Sequence, residues 1–253
     1  MGLFSIFSKT KSANDNTSQP KNLTIEGTVL TAFVPSSGDK VRTTEIEIPY
    51  GVTRIADSAF EASYFIEKVI IPDSVVEIGE NAFASCINLR EMIIPNSVTR
   101  IGKMAFYVCS KLDTLTISNK VTELRESAFS GCCLSNLTIP YGVQIIGKYA
   151  FLSSKELTSV TIPDSVTKIV EGAFYHCDNL ANVYIPDSVT ELGEVAFDSC
   201  PKLAAVTMPR RLGDTDEKLR KIFGERYRRI RFNFNVKPTT PPSDTTKSFG
   251  FKG

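Results

Sequence analysis

Residues 72–95 read Pro72-Asp73-Ser74-Val75-Val76-Glu77-Ile78-Gly79-Glu80-Asn81-Ala82-Phe83-Ala84-Ser85-Cys86-Ile87-Asn88-Leu89-Arg90-Glu91-Met92-Ile93-Ile94-Pro95, and this stretch decides the fold. Its opening proline recurs at Pro49, Pro95, Pro140, Pro163, Pro186 and Pro209, with Ser118 standing in once. Successive spacings are 23 residues, except from 118 to 140, where the fourth unit has 22. A fixed period of this length is the signature of a stacked solenoid, whose product is an extended surface and not an enclosed pocket.

Within the unit, Ala82, Phe83, Cys86 and Leu89 fall at three- and four-residue intervals, which predicts a short helical turn with one buried face. Met92 and Ile94 alternate with Glu91 and Ile93, which predicts a short strand. Pro95, Asn96 and Ser97 then supply the bend, and Val98 and Ile101 point inward to begin the next unit. One coil cannot bury enough apolar surface to order itself. Stacking supplies the remainder, and both ends of the stack need caps.

Candidate caps flank the array. Leu23–Ile25 and Thr28–Leu30, followed by a turn at Pro35–Asp39, then Val41, Ile46 and Ile48, predict β-rich capping strands over residues 21–48. After the seven units of residues 49–209, residues 210–236 predict a helix and a strand. Asp214 is the expected N-cap, with Glu217 closing a box-like pair. Leu219, Ile222, Phe223, Tyr227 and Ile230 share the inner face, and Phe232, Phe234 and Val236 alternate as the strand. Residues 1–20 read as a disordered leader and 237–253 as a disordered tail by composition.

Composition narrows the function classes. The 29 basic and 28 acidic residues balance, so general attraction to nucleic acid or membrane is not expected. Absence of Trp and a single His limit metal and acid–base chemistry. No apolar run approaches the length of a membrane-spanning helix. The first nine residues, Met1 to Lys9, lack the charge order of a secretory signal and a myristoylation Ser or Thr at Ile6. Leu3, Phe4 and Phe7 could share a helical face toward a membrane, but a floppy leader and a cytoplasmic chain are the expectation.

The cysteines are a repeat position. Cys86, Cys109, Cys132, Cys177 and Cys200 each follow the repeat's Phe by three residues, and Ser63 and Ser154 fill that slot elsewhere. Stacked strands lie about 4.8 Å apart, yet parallel Cβ vectors disfavour bridging. A reduced inward ladder is expected. Neither Cys132-Cys133 nor His176 makes a zinc site.

The pattern of Pro-x-Ser-Val, Ile-Gly, Ala-Phe, Cys and Leu, as in Pro72 to Leu89 and again in Pro163 to Leu180, resembles the BspA-type leucine-rich repeat. The resemblance implies a right-handed solenoid with short parallel strands on one face. It also implies protein or surface binding, and it brings no catalytic residues. Many such proteins are secreted bacterial adhesins, a role for which this chain shows no signal peptide or wall anchor.

Three surfaces can be read in columns. One outward row holds Arg54, Glu77, Arg100, Glu123, Gln144, Lys168 and Glu191; a second holds Asp57, Glu80, Lys103, Glu126, Lys148, Glu171 and Glu194. Alternating signs on adjacent coils suit structural self-neutralisation. On the strand face, Ile70, Ile93, Thr116, Thr138, Thr161, Tyr184 and Thr207 form one outward row, with Lys68, Glu91, Thr114, Asn136, Ser159, Asn182 and Ala205 beside it. Thr and Ile are good strand formers in any case, but the face as a whole is the expected partner-binding surface, with Tyr184 as its anchor. Residues 210–237 carry ten basic and four acidic residues, a net of +6 against +1 for the whole chain. A phosphate-gripping cap is the competing reading of that charge, and a solvated outer face is the favoured one. The sequence thus predicts a non-enzymatic scaffold for a protein partner, with no cofactor or metal. Its alternatives are a surface adhesin exported by another route and an anionic-surface or nucleic-acid binder.

Overall fold

A computed structural model describes residues 22–34 and 44–234. The expected leader, the Pro35–Asp39 turn, Val41, Val236 and the 237–253 segment lie outside the described residues.

The array folds as a parallel β-solenoid. One column holds three- and four-residue strands at Glu45–Glu47, Lys68–Ile70, Glu91–Ile93 and Thr114–Thr116, then Ser159–Thr161, Asn182–Tyr184, Ala205–Met208 and Arg231–Phe234. A second column holds two-residue strands at Arg54–Ile55, Glu77–Ile78, Arg100–Ile101, Glu123–Leu124, Ile145–Ile146, Lys168–Ile169 and Glu191–Leu192. Each three-residue strand buries its middle residue, Val69 for example, and turns its neighbours outward, as the period of two requires.

The expected helical turn takes a different form. Ala56 to Ser63 is a run of turns with i→i+3 bonds, such as Glu61 N–H to Ser58 O at 3.0 Å. Ser58 and Ala62 stand at φ +56°, in the left-handed region, so no helix can propagate through them. What these residues gain is direction. Ser58, Phe60 and Ala62 aim their N–H groups at the next coil and donate to Glu80, Ala82 and Ala84 carbonyls at 2.8, 2.7 and 2.8 Å. The pattern repeats at Asn81, Phe83 and Ser85 and at Met104, Phe106 and Val108. A third ladder thus forms on the turn side, satisfying backbone donors that burial would otherwise orphan.

Phenylalanine fills the centre of every coil. Phe60, Phe83, Phe106, Phe129, Phe151, Phe174 and Phe197 are fully buried, with successive ring centroids 4.9–5.7 Å apart and planes within 15° of parallel. This is the offset stacking that the ring quadrupole favours. The column continues into both ends. Phe33 stacks on Phe60 at 5.5 Å from a hairpin of Leu23–Glu26 and Val29–Phe33, and Phe223 stacks on Phe197 at 5.8 Å.

The C-terminal end is built on the repeat's own frame. Arg211 falls in the serine slot and donates to Val189 O at 2.8 Å, as Ser74 does to Val52 O at 2.8 Å. The chain then departs into a helix, Asp216–Phe223, whose last carbonyls at Lys221 and Ile222 accept from Val195 and Phe197 N–H at 2.7 and 3.1 Å. Its N-cap is Thr215, which accepts from Lys218 N–H at 3.2 Å, and not the expected Asp214. Asp214 instead pairs with Lys218 at 2.8 Å. Leu219, Ile222, Phe223 and Tyr227 are buried as the spacing predicts, while Ile230 is half-buried.

Both strand columns are interrupted at the same place. Arg100–Ile101 and Glu123–Leu124 are not paired, and Thr138 bridges forward to Thr161 but has no ladder back to Thr116. The shortened fourth unit is therefore joined to the third on the turn side, by Met104, Phe106 and Val108 N–H bonds at 2.8–2.9 Å and by the Phe106–Phe129 stack at 5.3 Å. The missing residue falls between Cys132 and Leu134, both still buried, so the core keeps its filling while the strand after it is lost.

Two stability predictions follow from this packing. Phe106→Ala removes a ring from the middle of the column and should cost about 3–5 kcal/mol in urea unfolding. Val195→Asn should stabilise by about 1 kcal/mol, because Val195 stands at φ +50° in the slot that Asn81 fills. Thermal melts of the two variants test both signs at once.

Candidate functional site

Strand pairing places the expected binding row in register on either side of the interruption at the fourth unit. Ile93 aligns with Thr116, Thr138 bridges Thr161, and Thr161, Tyr184 and Thr207 are successive partners. Ile70, Ile93, Thr116, Thr138 and Thr161 are exposed, whereas Tyr184 and Thr207 are half-buried. Ile70 and Ile93 are 39% and 56% exposed, a solvent-facing pair of isoleucines on adjacent coils. Burial raises the Tyr184 phenol above its usual range, with Asp164 and Asp187 adding to the effect, so its hydroxyl stays a neutral donor at physiological pH.

The interruption at the fourth unit divides this face into two chemically different sheets. The first carries Glu45, Glu47, Lys68, Ile70, Glu91 and Ile93 outward, with Lys68 bridging Glu45 at 2.9 Å. The second carries the uncharged Ser159, Thr161, Asn182, Tyr184, Ala205 and Thr207 outward and ends on a strand whose Arg231 is exposed beside Ala205.

The charged rows pair across coils. Glu77 lies between Arg54 at 3.5 Å and Arg100 at 2.5 Å, and Lys168 meets Glu191 at 2.7 Å. In the second row Lys103 meets Glu126 at 3.1 Å and Lys148 meets Glu171 at 3.0 Å. One position needs correction. Ile145, and not Gln144, stands opposite Glu123 and Lys168, because the inward residue of that unit is Ile146. Sign alternation breaks there, and Glu123 turns to Arg125 at 3.6 Å.

All six cysteines are free thiols. Cys86, Cys109, Cys132, Cys177 and Cys200 each donate Sγ–H to the Phe carbonyl of the preceding coil, at 3.2–3.5 Å. Burial pushes the Cys86 thiol far up; Cys109 and Cys177 are raised by their neighbours Cys132 and Cys200 and by burial. A nucleophilic thiolate is thereby suppressed. Ser154, in the same slot, has a shorter side chain, and its buried hydroxyl finds no partner among the described residues. His176 is likewise a repeat position. It is exposed at φ +59° and donates its N–H to Asp198 O at 3.1 Å.

The basic C-terminal segment spends much of its charge internally. Lys218 pairs with Asp214, Lys221 with Glu217 at 3.3 Å, Arg220 with Glu225 at 2.5 Å, and Arg210 lies over the Phe234 ring at 5.3 Å. Among the described residues no group of His, Cys, Asp and Glu could hold a metal ion, and no helix is long and apolar enough to cross a membrane.

These columns match a known family. The family model of the BspA type leucine-rich repeat region matches residues 38–157 and 123–219, in six copies, so the chain belongs to the BspA-type leucine-rich repeat proteins. Among solved structures, a leucine-rich cell surface protein from Faecalibacterium prausnitzii A2-165 is similar at 32% identity and a TM-score of 0.63, over 75% of this chain and 55% of its own. A leucine-rich repeat protein from Bacteroides ovatus ATCC 8483 is similar at 26% identity and a TM-score of 0.61, over 77% of this chain and 54% of its own. The chain thus matches little more than half the length of either. No curated protein sequence matches it. Family membership makes this a leucine-rich repeat protein.

Thiol accessibility gives a direct check. Cys133 is the one half-exposed cysteine, its thiol raised by burial and by Glu156 and Asp113. Native protein treated with iodoacetamide at pH 8 should be alkylated at Cys133 first, with the other five reacting only on unfolding. Ser154→Cys should restore the missing bond to the preceding carbonyl and raise stability by about 1 kcal/mol.

Proposed function

We propose that this chain is a non-enzymatic scaffold that binds a protein partner across its strand face. The observation that carries this reading is the exposed row of Ile70, Ile93, Thr116, Thr138 and Thr161, in register and rigidly held within each of its two sheets. Rigid presentation matters because little ordering entropy is then lost on binding. The exposed isoleucine pair supplies an apolar centre, and the hydroxyls and Tyr184 supply adaptable hydrogen bonding of the kind enriched at interfaces. The thiol ladder and the charged rows have structural partners, which favours this face over them.

Display at a cell surface is the second reading, favoured by the 32% identity to the Faecalibacterium prausnitzii cell surface protein. The two readings share a binding face and differ in compartment. Protease treatment of intact host cells separates them, since a displayed chain is digested and an internal one is protected.

Ile93→Lys and Thr161→Lys place a charge in each half of the row without touching the core. Crosslinking and affinity capture from the native host should recover a specific partner with the parent chain and lose it, by at least tenfold, with the double variant. Equal recovery by both would sink the strand-face reading.

A further inference from the structure

The two-residue strand column has an open end. At Glu191–Leu192 the ladder stops, because the chain leaves the repeat frame at Gly213 and forms the capping helix instead of another strand. Every earlier coil hands its carbonyls on, except the third, where the column is interrupted. Thr167 O accepts from Thr190 and Glu191 N–H at 2.8 and 3.3 Å, and Ile169 O accepts from Gly193 N–H at 2.8 Å. Thr190 O and Leu192 O, the next in line, accept from no group among the described residues. Arg211 serves Val189 O, so these two carbonyls are what remains of the edge.

The side-chain column is uncovered at the same point. Ile55, Ile78, Ile101, Leu124, Ile146 and Ile169 are at most 1% exposed, whereas Leu192 is only half-buried. Beside this edge runs a groove of about 640 Å³, walled on its far side by Arg211, Lys218, Lys221 and Ile222. That volume falls within the range typical of ligand sites, about 300–1,000 Å³.

We propose that this groove binds an extended peptide as an added parallel strand, with a basic residue, a branched aliphatic residue and a glycine in succession. The three preferences come from the columns themselves. Glu77 is held between cations on both sides, at 3.5 and 2.5 Å, while Glu191 has Lys168 on one side only, so a Lys or Arg completes the pair. An Ile, Leu or Val covers Leu192 as each coil covers the last. Glycine falls in line with Gly193. That column holds Ala56, Gly79, Gly102, Arg125, Gly147, Val170 and Gly193, so glycine is its commonest residue. At two of these glycines the neighbouring coil comes close: a Cβ at Gly102 would lie 2.4 Å from the Gly79 carbonyl carbon and one at Gly193 2.3 Å from Glu171 N. The peptide's N–H groups then donate to Thr190 O and Leu192 O. This is strand addition at a sheet edge, in which main-chain bonds give affinity and alternate side chains give selectivity. The site lies on a different column from the strand-face row and does not depend on it.

A labelled peptide of sequence Ser-Val-Thr-Arg-Ile-Gly-Lys, that of residues 97–103, is the probe, read by fluorescence anisotropy against the full chain. Saturable binding is expected. It should weaken at least tenfold when the glycine amide is N-methylated or the isoleucine becomes Asp. The E191K protein should prefer a probe with Glu in place of Arg, reversing the parent's preference, with an unchanged circular dichroism spectrum. Equal binding of the N-methylated probe would remove strand addition, and an unreversed preference would remove the register. Absence of saturable binding overturns the proposal as well, whether the groove is closed or filled by a second copy or by residues 237–253.

Discussion

The phenylalanine column is the constraint on which the rest of the molecule depends. Rings from Phe33 to Phe223 follow one another at 4.9–5.8 Å, so each coil must deliver an aromatic side chain to the same depth and tilt as its neighbour. Burying such a ring is favourable only if the backbone around it is fully hydrogen-bonded. The turn side meets that demand by holding two residues per coil at positive φ, at a cost of about 1–2 kcal/mol for each that is not glycine. Residues such as Val108 and Val195 tolerate the left-handed region because the bonds they direct to the next coil over-determine it.

The two ends illustrate how a one-dimensional array closes. Neither is a foreign lid. The hairpin and the helix each contribute a phenylalanine to the column, and the helix contributes carbonyls to the turn-side ladder. Arg211 even performs the repeat serine's task with a longer side chain. The two-residue strand column is left without a successor after Glu191–Leu192, because a helix offers no edge to pair with it.

Much of this was legible from residue columns. Period, Phe and Cys slots and inward aliphatics are side-chain properties that recur at fixed intervals, and they reappear as the core. Backbone-determined features were not legible. Three- and four-residue spacing looks the same in a helix and in a run of turns, and only the φ angles of residues such as Ser58 and Ala62 distinguish them. The fourth unit hid two more. Val143, Gln144, Ile145 and Ile146 offer alternative frames one residue apart, and the frame is settled by which isoleucine is buried. The division of the strand face and the uncovered Leu192 depend on which strands find partners, which no single column records. The expected binding row was found as an exposed line, but its split into a charged, isoleucine-bearing half and a hydroxyl-rich half came from the backbone.

The seam between the third and fourth units gives the rod an uneven stiffness. Elsewhere three ladders resist bending, two of strands and one of turns. At the seam neither strand ladder runs across. The two units are held there by the turn-side bonds, the Phe106–Phe129 stack, the Cys132 thiol, the Lys103–Glu126 pair and the bonds of Ser118 and Asn119 to Val98 O and Asn96 Oδ1. Flexure therefore concentrates at the seam, with the turn side as pivot. Opening about that pivot changes the angle between the two halves of the strand face while leaving each half internally fixed. A bound object with two footprints can therefore be matched by one rotation, as a pair of jaws adjusts to what it holds.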